Sequence, residues 1–290
     1  MTKLSFDLYR SYWSMTKPGI VMMVLVTTAL GFYFADHSFQ HPMLLLWTLL
    51  GSALTCGGAT VLNQYLERDV DGLMQRTKRR PIPMGIISPS EALGFGISLI
   101  LMGLCVLCLK VNLLTAFLSL LTCFLYTLVY TPMKRLSWLN TTIGAIPGAI
   151  PPLGGWAAAT NHLDPGAWIL FLILFTWQHP HFYAIAWIYK EDYKKAGFKM
   201  LPVVHPDAKF TFSQITAFSF LLIAFSLMPT LIGMSGKIYF WGALLLGGGM
   251  LYTAFLFQKT QSNSDARKVL AASIAYLPLL LVLIIVDGIF

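Results

Sequence analysis

Charge is what this chain has least of. Only 11% of its 290 residues are Asp, Glu, Lys or Arg, while 57% are hydrophobic and the mean hydropathy is +0.69. A water-facing surface carries about twice that share of charge, so a soluble enzyme and a disordered chain are both excluded. Cysteine is scarce too. The four present (Cys56, Cys105, Cys108, Cys123) all lie in apolar runs, and a secreted disulfide scaffold is excluded. Cys105 and Cys108 have CxxC spacing without a second ligand pair, and read as packing residues rather than a metal or redox site. Acidic residues number 12 against 20 Lys and Arg, a net charge of +8. In so apolar a chain that excess points to membrane topology, not to nucleic acid.

What the chain has in abundance is apolar run. Windows of about 20 residues predict nine spans, near 19–36, 44–66, 91–110, 112–131, 139–159, 166–189, 211–234, 238–258 and 269–287. No small-x-small cleavage site ends the first, so it is expected to be a span and not a signal peptide. The expected fold is an all-α polytopic membrane bundle, one domain over 1–290, with nine transmembrane helices and two long cytoplasmic loops at about 67–90 and 190–210. With the N-terminus inside, eighteen of the twenty Lys and Arg fall in inner segments and only Lys110 and Lys237 lie outside. That places the N-terminus in the cytoplasm and the C-terminus outside. The outer connections 36–42, 160–165 and 235–237 are short. Long loops in compact proteins tend to be functional, and both are on the inner side.

The second span ends in a polar stripe. Asn63, Glu67 and Asp71 stand at i, i+4 and i+8, close to one helix face, and such oxygen donors suit a hard cation such as Mg²⁺. Asp69 points elsewhere on a regular helix. The cationic run Arg76-Thr77-Lys78-Arg79-Arg80 follows at once, and opposite charges side by side make sense if a diphosphate lies between them. An ordinary interfacial helix end accounts for Arg79 and Arg80. It does not account for Asn63 and Glu67, which fall within the apolar part, where ionisable groups are costly and functional.

The sixth span ends Trp177-Gln178-His179-Pro180-His181-Phe182, and Tyr189-Lys190-Glu191-Asp192-Tyr193-Lys194 follows. Lys190 and Lys194 are one turn apart, at the same end of the membrane as the first site. The parallel suggests two related helical halves facing one cavity. Pro180 is expected to bend its helix. His179 and His181 cannot face one point on a regular helix; His181 is the better candidate for ligating a haem iron through neutral imidazole. Tyr126, Tyr130 and Lys134 recur at four-residue spacing and could reach a phosphate. The breaker-rich stretch 146–156 is expected to form a cavity wall, since such segments survive in lipid only inside protein. His37, His41, His162 and His205 fall in loops and receive no role.

These residues resemble a known family. Asn63-Gln-Tyr-Leu-Glu67-Arg-Asp69-Val-Asp71, with Met74-Gln-Arg76-Thr77-Lys78-Arg79, looks like the first acidic motif of the UbiA-type intramembrane prenyltransferases, and most of all like their haem-farnesylating branch. Thr16-Lys17-Pro18-Gly19-Ile20, Tyr130-Thr131-Pro132-Met133-Lys134-Arg135, 151–156, 177–182 and 192–202 match as well, in order. The wider family carries several aspartates in its second motif; here stand Tyr189, Lys190, Glu191 and Asp192, a swap typical of the haem branch. That swap leaves open whether a second full Mg²⁺ site exists, and offers Lys190 and Lys194 to replace the metal in part in holding phosphate.

The resemblance implies transfer of farnesyl from farnesyl diphosphate to the 2-vinyl group of haem b, with addition of water, giving haem O and pyrophosphate. It implies Mg²⁺ on Asn63, Glu67 and Asp71, with Asp69, Lys190 and Asp192 completing the catalytic set. Lys17, Arg68, Arg76, Lys78, Arg79, Arg80, Tyr130, Lys134 and Lys194 would hold the diphosphate, and His181 and His179 would meet the haem, which is substrate and not cofactor. The implied setting is the inner membrane, with a haem A synthase or terminal oxidase downstream. Two other readings are a prenyltransferase acting on an aromatic quinone precursor and a non-enzymatic haem-binding or transport protein.

Overall fold

A computed structural model describes residues 3–36 and 41–287. The 37–40 part of the expected outer connection, with His37, lies outside them. Among the described residues the fold is entirely helical. A short helix α1 (Lys3–Met15) precedes α2 (Pro18–Asp36), α3 (Pro42–Asp71) and α4 (Pro89–Lys110). Helix α5 (Leu113–Phe124) runs through a π-helical turn, Leu125–Tyr130, into α6 (Thr131–Leu136). Then come α7 (Asn140–Thr160), α8 (Pro165–Ile188), the short α9 (Lys190–Lys195) and α10 (Leu201–Val204), and finally α11 (Ala208–Leu231), α12 (Lys237–Thr260) and α13 (Asn263–Asp287).

Eight of these segments are long and apolar enough to cross a membrane, counting 113–136 as one. The fifth of the nine expected spans, α7, is a full-length helix but is not among them. Its sequence explains why: Pro147, Pro151 and Pro152 lie inside it, and glycines dilute the rest. It is buried instead, packed between α2, α5 and α8. Helix α3 continues to Asp71, five residues past the expected end, so the whole acidic stripe rides on regular helix. Helix α8 runs unbroken through Pro180.

Small residues let the helices touch backbone to backbone, which is how helices associate where lipid removes the hydrophobic drive. Gly51 meets Gly103, and Gly58 meets Gly96, along the α3–α4 crossing. Gly31 faces the Pro152 carbonyl and Gly155 faces the Thr28 carbonyl, locking α2 to α7. Helices α11, α12 and α13 pack with α8 as a second group, while α2 to α5 form the first. Helix α7 joins the two, and the main cavity opens beside it.

Both long loops are wound. Residues 72–88 form successive hydrogen-bonded turns, with Met74, Ile82 and Ile87 buried and Gly85 in the left-handed region at φ 69°. They end in a capping box, Ser88 with Glu91, that starts α4. The two loops share a small core of Val70, Met74, Ala186, Tyr193, Ala196, Phe198 and Met200. They therefore close one end of the bundle together.

Candidate functional site

One cavity of about 510 Å³ runs into the bundle between α2, α3, α5, α7 and α8, reaching both loops. Its inner walls are mostly apolar or hydroxyl-bearing: Ile20, Met23, Leu118, Ile150, Pro151, Leu174 and Leu277, with Thr27, Thr55 and Thr122. Its loop-side end gathers Lys17, Asn63, Glu67, Arg76, Arg80, Tyr130, Lys134 and Tyr193.

The charges there are paired. Glu67, 4% exposed, accepts from Lys134 Nζ at 2.6 Å and lies 3.6 Å from Arg80. Asp71, fully buried, receives Arg80 Nη1 on both carboxylate oxygens at 2.7 Å. The turn that returns Arg80 is fixed by Thr77, whose hydroxyl donates to the Asp71 carbonyl at 2.8 Å. Asn63, 1% exposed, donates its amide nitrogen to Thr131 Oγ1 at 3.0 Å, and Thr131 donates in turn to the Tyr126 carbonyl at 2.8 Å. The amide oxygen is thereby turned toward Lys17, whose Nζ donates to it at 3.2 Å.

Lys17 reaches that position because its backbone adopts φ 49°, rare for a residue with a side chain. The bend breaks α1 from α2 just before Pro18. Burial, with Arg80 and Lys134 nearby, pushes the Lys17 pKa down to about 7. Arg76, Arg80 and Lys134 face two carboxylates, so the site is short of negative charge even where Lys17 is neutral. Lys134 also lies over the Tyr130 ring at 4.6 Å and the Phe198 ring at 5.7 Å. Arg76 sits over Tyr189 and Tyr193, and donates to the Tyr193 hydroxyl at 3.2 Å, joining the two loops across the cavity mouth.

The expected residues separate cleanly. Lys17, Asn63, Glu67, Arg76, Arg80, Tyr130, Lys134 and His181 are brought to one cavity, with Asp71 directly behind Arg80. Asp69 is not: it is exposed and pairs with Arg135 at 2.6 Å. Arg68 donates to the Tyr65 carbonyl and stacks on the Tyr65 ring. Lys78, Arg79 and Lys194 are exposed, Lys190 lies over Trp187, and Asp192 is half-buried; none of them lines the cavity. His179 is fully buried, bonded to the Phe175 carbonyl and Thr142 and stacked on Phe218 at 3.5 Å, which makes it a packing residue of α8. Sequence reasoning missed Tyr193, Thr131 and Thr77, whose roles depend on contacts between distant segments or on one turn of a loop.

Among the described residues no group of three His, Cys, Asp or Glu is placed to hold a metal. The set Asn63, Glu67 and Asp71 is two carboxylates and one amide oxygen on a single helix face. That chemistry fits a hard divalent cation, which takes one or two carboxylates and fills its shell with water and substrate phosphate. Both carboxylates already hold protein cations, so such a metal would exchange with Lys134 and Arg80.

A helical membrane bundle with an apolar cavity and an ion-paired, anion-seeking end defines a class: an intramembrane protein built for a long apolar molecule with an anionic head. The chain belongs to the UbiA prenyltransferase family, whose profile matches residues 24–277. It is 45% identical over 287 residues to the protoheme IX farnesyltransferase of Solibacter usitatus, covering 96% of this chain and 98% of that one. With the protein of the same name from Salinibacter ruber it shares 43% over 276 residues, covering 95% and 98%. A digeranylgeranylglyceryl phosphate synthase has the same fold, with a TM-score of 0.83 over 98% of this chain and 99% of its own at 18% identity. A UbiA homologue from Archaeoglobus fulgidus bound to GPP and Mg²⁺ superposes with a TM-score of 0.66, over 94% and 99%, at 17% identity.

Proposed function

We propose that this protein transfers the farnesyl group of farnesyl diphosphate to the 2-vinyl group of haem b, giving haem O and pyrophosphate. The observation that carries this reading is the cavity whose apolar walls lead to Lys17, Arg80 and Lys134 beside Glu67 and Asp71. The name shared by the relatives, over nearly the full chain, selects haem as the acceptor.

The diphosphate head lies at the loop-side end, where Lys17, Arg76, Arg80 and Lys134 hold its oxygens. Preorganised cations aimed at the leaving group stabilise the charge it gains as the allylic C–O bond breaks. A Mg²⁺ ion on Asn63, Glu67 and Asp71 would supply further neutralisation of that leaving group. The vinyl π electrons form the new C–C bond to the farnesyl carbon, and the cation left beside the porphyrin is captured by water, which loses a proton. Apolar walls keep other water from the allylic cation. Lys190 and Lys194 act from outside the cavity, attracting the anionic head toward its mouth, while Asp69, held by Arg135, and Asp192 stay apart from it. The loop-side end faces the cytoplasm of the inner membrane, and a haem A synthase or a terminal oxidase takes the product.

The test is purified protein in detergent with haem b, farnesyl diphosphate and Mg²⁺, followed by mass spectrometry of extracted haem. Haem heavier by one farnesyl group and one water is expected. Released pyrophosphate with unchanged haem would move the acceptor to an aromatic quinone precursor. Neither product, from folded protein, would leave a binding or transport protein.

A further inference from the structure

His181 belongs to a hydrogen-bonded chain that α13 supplies. Its Nδ1 lies 2.9 Å from Ser273 Oγ, and Ser273 Oγ donates to the Leu270 carbonyl at 2.6 Å. Ser273 is fully buried. A hydroxyl has one proton, and two oxygens 2.6 Å apart with no proton between them would repel. The proton therefore lies toward Leu270, and Ser273 Oγ meets His181 as an acceptor. That forces the proton of the neutral imidazole onto Nδ1 and leaves Nε2 as a bare lone pair. Nε2 has no hydrogen bond to any described residue, and His181 lines the cavity.

The ring is also held in orientation. Trp177 stacks on it, with centroids 4.9 Å apart and planes at 23°, and Trp177 Nε1 donates to the Ser273 carbonyl at 2.7 Å. One residue of α13 thus pins two aromatic residues of α8, one through its side chain and one through its backbone. The neighbouring polar side chain is already committed: Gln178 Nε2 donates to the Ala145 and Leu174 carbonyls. Pro147, Leu174, Ile185 and Leu277 line the same cavity as His181 and give it apolar wall, which suits the flat face of a porphyrin.

We infer that Ser273 is a positioning residue which fixes His181 as the Nδ1–H tautomer, so that Nε2 meets the iron of the acceptor. Imidazoles that ligate metals commonly donate their other ring N–H to a fixed partner, which sets tautomer and ring angle. The inference rests on the haem-acceptor reading above and adds to it the residue that orients the ligand.

The experiment titrates purified wild type, Ser273→Ala and His181→Ala with ferric protohaem, and with metal-free protoporphyrin IX, following the Soret band. Ser273→Ala keeps the backbone carbonyl that Trp177 uses, and size-exclusion profiles report folding. The expected result is iron-porphyrin affinity weakened by about 10–100-fold in Ser273→Ala, with a changed Soret band. His181→Ala should lose the wild-type band, added imidazole should restore it, and metal-free porphyrin should bind all three alike. Wild-type affinity and spectrum in Ser273→Ala would overturn the inference alone. Equal weakening toward both porphyrins would reduce Ser273 to packing and overturn it too. No protohaem binding by the folded wild type would remove the haem reading beneath it.

Discussion

Glu67 lies between Lys134 and Arg80 almost out of reach of solvent. Removing one partner of a buried ion pair strands the other charge, whereas an exposed pair contributes only about 0–1 kcal/mol. Asp69 and Arg135 form such an exposed pair. Farnesyl transfer is therefore expected to fall by at least ~100-fold in Glu67→Gln and Asp71→Asn, and to stay within about fivefold in Asp69→Asn. Assays on detergent-purified variants with matched size-exclusion profiles check this; near wild-type rates in Glu67→Gln would remove it from the site. The acidic stripe was legible because i, i+4, i+8 spacing survives wherever the helix goes. Lys134 was legible as a candidate site residue, but its pairing with Glu67 is not local, and neither is the Asn63–Thr131 bond that turns the amide oxygen. Ser273 carries no signal at all in the sequence; only the docking of α13 against α8 gives its hydroxyl a task.

At the scale of elements, α2 and α7 approach until Gly31 and Gly155 touch the opposing backbone. A methyl group at 155 would collide with the Thr28 carbonyl, and backbone cannot swing away as a side chain can. Overpacking costs about 1–3 kcal/mol, so Gly155→Ala should lower the melting temperature in detergent by several degrees. Gly154→Ala, with open space at its Cβ, should leave it unchanged and serves as the control. Equal melting of the two would show that α2 and α7 can part without cost. Apolar run length announced these helices readily. It could not announce the π-helical turn at Leu125–Tyr130, where composition stays that of a plain span. One extra residue per turn there, supported by Thr131 donating five residues back to Tyr126, changes the facing of everything that follows, Lys134 included. Such turns cluster at functional sites. Pro81, Pro83 and Gly85 keep the 72–90 loop from continuing as a helix, and burial of Met74, Ile82 and Ile87 winds it into turns.

For the molecule as a whole, the bias of positive charge sets which end faces the cytoplasm. In a background without the four native cysteines, Lys237→Cys should react with a membrane-impermeant thiol reagent in intact cells. Lys194→Cys should react only after the membrane is opened. The reverse pattern would invert the orientation and place diphosphate chemistry on the outer side.

The ion pairs also impose an order on the making of this protein. Arg80 follows Asp71 by nine residues, but Lys134 follows Glu67 by 67. While the ribosome is still producing α4 and α5, the acid end of α3 has its near neighbour and lacks its far one. Burial of Glu67 must await the arrival of α6, so the half of the bundle that binds diphosphate matures as a unit rather than helix by helix. Chains released before residue 134 would leave Glu67 only the one guanidinium it shares with Asp71, two carboxylates on a single cation at the bilayer.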